Sequence, residues 1–136
     1  MSHRRGWSVT LLAGILYGTI GVGTAALSRT AASSAGAIGW RYVAWSLSAA
    51  VFLWHLIAAR RRRTTLVAAA LQVAIGVAFG ALLLAVLGPV RAHWAEASRN
   101  RTILLSVFAW PLLTGLPAFV VALGAEYLLA RSSRAN

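Results

Sequence analysis

The sequence predicts an all-α integral membrane bundle of four transmembrane helices, with both termini cytoplasmic and residues 1–136 forming one transmembrane domain. Three observations carry that expectation. Of the 136 residues, 60% are hydrophobic and 11% charged, whereas a soluble domain carries about a quarter charged residues. Four apolar stretches reach the roughly 20 residues that a helix needs to cross a hydrocarbon core. The basic residues, all thirteen of them Arg, sit between these stretches in an uneven pattern. The mean hydropathy of +0.75 also excludes a disordered chain, which is poor in apolar residues.

The first span is placed at residues 7–28. It follows Met-Ser-His-Arg-Arg, which has the form of a signal peptide, but about 22 apolar residues exceed the usual 7 to 15 of such a segment, so it is expected to stay as a span. The second is placed at 36–59, after a short connection rich in Ser and Ala. The third, at 65–89, follows the run Arg60, Arg61, Arg62 and Arg63. The fourth, at 102–130, follows a longer amphipathic connection in which Trp94 lies among Arg91, His93, Glu96 and Arg99. That connection is expected to lie flat on the outer surface.

Orientation follows from the arginines. Arg4, Arg5, Arg60, Arg61, Arg62, Arg63, Arg131 and Arg134 fall on one side, against Arg29, Arg41, Arg91, Arg99 and Arg101 on the other. Positive residues accumulate on the cytoplasmic side, so the four-Arg block and both termini are assigned there, in a multi-pass protein of the cytoplasmic (inner) membrane. Trp7, Trp40, Tyr42, Trp54, Trp94 and Tyr127 fall near span ends, as an aromatic belt requires. The block is read first as a topology determinant, and Arg60, Arg61, Arg62 and Arg63 also as lipid-headgroup contacts. Membrane lipids, not nucleic acid, are the expected counter-charge for a net charge of +11.

Small residues mark packing faces. Gly14, Gly18, Gly21, Ala25 and Ser28 recur on one face of the first span, and Gln72, Gly76 and Gly80 share a face of the third. Such faces let two backbones approach closely. In the fourth span, Pro111 and Pro117 flank Thr114 and Gly115. Each proline removes a backbone donor and frees a carbonyl four residues back. This span is expected to bend, to move, or to line a cavity.

Few residues offer chemistry. Glu126 is the only acid within a span, and an intramembrane carboxylate is a functional candidate by default. Its plainer reading is an interfacial Glu paired with Arg131 or the four-Arg loop; its sharper one is a proton- or ion-coupling group. His55 reads as an interfacial hydrogen-bonded residue, or as a lone ligand to a haem or pigment. His93 and His3 lie at unsuitable depths to be a second axial ligand, and no other cofactor is implied. Arg41, between Trp40 and Tyr42, reads as snorkelling to headgroups or as contacting an anionic substrate. With no Asp and no Cys, there is no hydrolytic triad, no thiolate chemistry and no carboxylate cluster for a metal, so the inventory predicts no enzyme and no metal.

Four features in chain order resemble the first half of EamA-like proteins of the drug/metabolite transporter superfamily. They are Tyr17-Gly18 mid-way along the first span, Arg41 with Ala44 at the start of the second, Pro111 before Leu112-Leu113-Thr114, and Gly124-Ala125-Glu126 near the end of the fourth. The resemblance implies a transport function, with Glu126 closing the cytoplasmic end of its helix. Four-helix members of that superfamily dimerise, which implies a homodimer. Their first-helix Glu has no counterpart here, since the first span holds no acid.

Two functions are therefore expected in turn. One is a transporter-like oligomer moving a small metabolite, lipid-linked or amphipathic substrate, with Pro111, Thr114, Pro117, Glu126 and Arg41 at its path. The other is a non-catalytic accessory or assembly subunit of a larger, energy-transducing membrane complex, whose faces bind partner membrane subunits, lipid or pigment.

Overall fold

Every element among the described residues is helical. The structure, a computed structural model, describes residues 2–61, 65–87 and 101–135, with side chains over 7–61, 65–87, 105 and 107–132. The helices are α1 (Ser2–Thr30), α2 (Ser34–Arg60), α3 (Leu66–Ala85) and α4 (Arg101–Ala135). Each contains a stretch long and apolar enough to cross a membrane: Trp7–Thr30, Ser34–Arg60, Leu66–Ala85 and Val107–Ser132. The amphipathic segment around Trp94, His93 and Glu96 lies outside the described residues, as do Arg62 and Arg63 and the side chains of His3, Arg4, Arg5 and Arg134.

Local signals set the helix ends. Ser33 caps α2, its hydroxyl accepting from the Gly36 N–H at 3.1 Å, and Thr65 caps α3 by accepting from the Ala68 N–H at 3.2 Å. These oxygens satisfy backbone donors that a helix start leaves open. The α1–α2 connection is only residues 31–33, and it is tied by the Ser28 hydroxyl donating to the Ala37 carbonyl at 3.3 Å. α3 runs to Ala85, with the Val86 N–H bonding back to Leu82 and Leu83; the expected end of this span at 89 lies outside the described residues.

α4 runs continuously through Pro111 and Pro117. Its expected bend is therefore no break. The Thr114 hydroxyl donates to the carbonyls of Trp110 at 3.0 Å and Pro111 at 3.2 Å, bonding back onto its own helix between the two prolines. Thr19 and Thr24 bond back in the same way in α1, to Ile15 and Ile20.

α3 is the central helix, packed against α1 on one side and α4 on the other, while α2 packs chiefly on α1. The α1–α3 contact joins the two glycine faces. A Cβ added at Gly80 would collide with Tyr17 Cβ and lie 3.0 Å from the Gly14 carbonyl, and one at Gly18 would lie 2.9 Å from Leu83 Cβ. Gly14 faces Phe79 and the Gly76 carbonyl, and Gly21 faces Leu84. Between α3 and α4 the close approach falls at Gly115, against Ala78 and the Ala74 carbonyl.

The buried apolar core is made almost wholly of Ala, with Leu56 and Val73 the larger members, while many Leu side chains, most Trp and Phe108 are exposed. That inverted pattern is what a lipid solvent favours, because close backbone contact rather than water exclusion holds helices together there.

Candidate functional site: a cleft walled by four helices

Because α2 sits on α1 and α4 sits on α3, the outer helices α2 and α4 do not pack as a pair along their length. They converge at one end only. There Leu56, Ala70, Val73 and Ala122 form a buried cluster, with Phe52, Phe119, Leu123 and Ala125 packed against it. Arg60 of α2 donates from Nη2 to the Leu129 carbonyl of α4 at 3.1 Å. Toward the α1–α2 connection the two helices separate, and a cavity of about 1110 Å³ opens between them.

The walls come from all four helices. α1 gives Tyr17, Thr24 and Arg29; α2 gives Arg41, Trp45, Ser48 and Phe52; α3 gives Val77, Ala81 and Leu84; α4 gives Trp110, Thr114, Pro117 and Val121. The lining runs from Ser28, Arg29, Trp40 and Arg41 at the wide end, beside the α1–α2 connection, to Leu56 and Ala125 at the narrow end, where α2 and α4 converge. The Tyr17 hydroxyl is buried and has no hydrogen-bond partner among the described residues.

Of the candidates named from sequence, Arg41, Thr114 and Pro117 line this cavity, and so do Gly21 and Gly80 of the packing faces. Pro111 is half-buried in α4 but does not line it, and Gln72 is half-buried on α3 away from it. Arg61 is exposed at the end of α2.

Glu126 faces into the bundle. It is only 2% exposed, and its Oε1 has no hydrogen-bond partner among the described residues. The arginine nearest to that role, Arg60, is instead bonded to a backbone carbonyl, and Arg131 is exposed. Glu126 thus lies next to Ala125 behind the narrow end, with a carboxylate oxygen removed from solvent. A buried carboxylate is costly to keep charged unless paired.

His55 also faces inward and is hydrogen-bonded. It is 1% exposed and shares a hydrogen bond, Nε2 to Oγ1 at 3.4 Å, with Thr10 of α1, itself 2% exposed. Gly76 closes its other side: a Cβ there would stand 2.7 Å from Cε1 and 3.1 Å from Nδ1. This enclosure leaves no open face for a flat macrocycle, so a haem or pigment ligand does not fit the ring's surroundings. His55 serves as the polar pin of a three-helix junction.

Sequence reasoning missed Thr10, Trp45, Trp110, Gly115 and Arg29 as site or junction residues. For α2 a signal existed: Arg41, Trp45, Ser48 and Phe52 recur at helical spacing on one face. For Thr10 none did, because its partner lies 45 residues away.

Comparison of the chain with family models, with curated proteins and with solved structures returns no match.

Proposed function

We propose that this chain is a small, transporter-like protein of the cytoplasmic membrane, working as an oligomer and moving a small metabolite, lipid-linked or amphipathic substrate rather than catalysing a reaction. The observation that carries this reading is the cleft: about 1110 Å³, walled by all four helices, with α2 and α4 joined at one end. That volume is at the upper limit of small-molecule sites, which run to about 1,000 Å³.

With both termini cytoplasmic, as the arginine bias indicates, the closed end faces the cytoplasm and Arg41 faces outward. α4 is the movable wall. It carries Pro111 and Pro117, each of which removes one ladder bond, and it is tied to α2 at Arg60. Glu126 sits behind the closed end, where it either holds that end shut or carries the coupling charge. The order of Tyr17-Gly18, Arg41, Pro111 and Glu126, similar to EamA-like transporters, supports the same reading.

The accessory-subunit reading draws on a different feature. Phe108, Leu112, Leu116 and Val120 form an exposed ridge along α4 at four-residue spacing, each more than 60% exposed. Under the transporter reading a second copy packs on this ridge, and under the accessory reading an unrelated helix does.

The test is flux in vesicles reconstituted with wild type or Glu126→Gln, with assembly followed by native gel. The transporter reading expects wild-type flux and its loss in a variant that still assembles. Wild type inactive toward a broad substrate panel, and assembling only with unrelated subunits, leaves the accessory role.

A further inference from the structure

The cleft has a charge pattern that selects its occupant. Two guanidinium groups, Arg29 at the end of α1 and Arg41 near the start of α2, line its wide end. Among the described residues no carboxylate lies with them at that end. The chain has only two acids, and the one among the described residues, Glu126, is on α4 beyond the closed end. Arg29 and Arg41 are both exposed, so their donors remain open to a ligand.

Below them the lining turns apolar. It extends along α2 from Arg41 to Leu56 and along α4 from Trp110 to Ala125, a depth of roughly 22 Å at 1.5 Å rise per residue. That is most of a hydrocarbon leaflet pair of about 30 Å. The hydroxyls of Thr24 and Thr114 in this wall are already bonded within their own helices. Trp40, Trp45 and Trp110 stand in the wall nearer the wide end, the level at which amphipathic rings meet headgroups.

We propose that the cleft binds a chain-bearing anionic lipid, its phosphate held by Arg29 and Arg41 and its hydrocarbon chain lying between α2 and α4. Guanidinium geometry matches a phosphate with paired hydrogen bonds. A cationic amphiphile of the same shape meets two like charges at the mouth. A free anion leaves the long apolar wall without a partner. The gap between α2 and α4 offers a lateral route for the chain from the bilayer. This inference names the substrate class of the transporter-like cleft and rests on that reading.

The experiment is native mass spectrometry of the full chain, delipidated in detergent and titrated with phosphatidic acid or with phosphatidylcholine of identical chains. Wild type is expected to retain phosphatidic acid about tenfold better, as charge-assisted pairing to two guanidinium groups implies. Arg29→Gln/Arg41→Gln removes that preference but keeps the phosphatidylcholine adduct, which reports an intact cleft. Ala44→Phe, filling the cavity, lowers both adducts. Equal retention of the two lipids by wild type overturns the proposal, as does a preference that survives the double substitution. Inorganic phosphate displacing the lipid as well as phosphatidic acid does assigns the site to a free anion and overturns it too. Because the readout is equilibrium binding, it separates from transport: vesicles without flux can leave the preference standing, and flux of a cationic amphiphile can persist where the preference is absent.

Discussion

Gly76 of α3 lies against the imidazole of His55 on α2 so closely that a methyl group at position 76 would stand 2.7 Å from Cε1. The same methyl would stand 3.3 Å from the Thr10 carbonyl of α1, so one hydrogen atom in place of a side chain lets three helices meet. Gly76→Ala therefore overpacks the junction at a cost of about 1–3 kcal/mol, against a gain of up to about 1 kcal/mol in helix propensity. A net loss of stability is expected, read by thermal unfolding in detergent. Pairing it with His55→Ala should recover part of the loss, since removing the ring relieves the clash. A stability gain for Gly76→Ala alone would show that the junction is looser than described.

Two glycines outside that junction should respond in opposite ways. At Gly80 an added Cβ meets Tyr17 Cβ, the Gly14 carbonyl and the Gly18 amide, much of it backbone that cannot yield, whereas at Gly23 nothing lies within 4 Å. Gly80→Ala should lower unfolding stability by about 1–3 kcal/mol, and Gly23→Ala should raise it by up to about 1 kcal/mol. Equal tolerance of both removes the α1–α3 seam from the account.

Much of this was legible because lipid imposes simple rules. Length and apolarity reveal a span, and the spacing of Gly14, Gly18 and Gly21 and of Gly76 and Gly80 marks surfaces of close approach. Pairing was not legible. Nothing in the sequence says that the glycine face of α1 meets that of α3 rather than its neighbour α2, since a small-residue face fits any other. For Glu126, nearness to the end of an apolar run gives no facing: Ala122, one turn earlier, belongs to the buried cluster where α2, α3 and α4 converge, and Glu126 shares its burial. The same holds for His55: the depth of a residue in a span does not tell which way it faces, and Thr10 is far away in sequence.

Orientation can be measured directly, because the chain has no native cysteine. The eight-to-five arginine bias places the α1–α2 connection outside and the α2–α3 connection inside. A cysteine at Ala32 should react with an impermeant thiol reagent added to intact cells, and one at Thr65 only after the membrane is opened. The reverse pattern inverts the topology and puts the wide end of the cleft in the cytoplasm.

The central claim is that the cleft between α2 and α4 is the path a substrate takes, and Ser48 tests it most directly. Its side chain lines the cavity midway along α2, half-buried and clear of the α1–α3 seam, so Ser48→Phe fills the path without disturbing the helix contacts. Flux should be measured in vesicles carrying equal amounts of wild type and Ser48→Phe, with assembly checked by native gel. The account predicts that the variant assembles as wild type does and that its flux falls to the level of empty vesicles. Flux equal to wild type through a correctly assembled Ser48→Phe protein would contradict it.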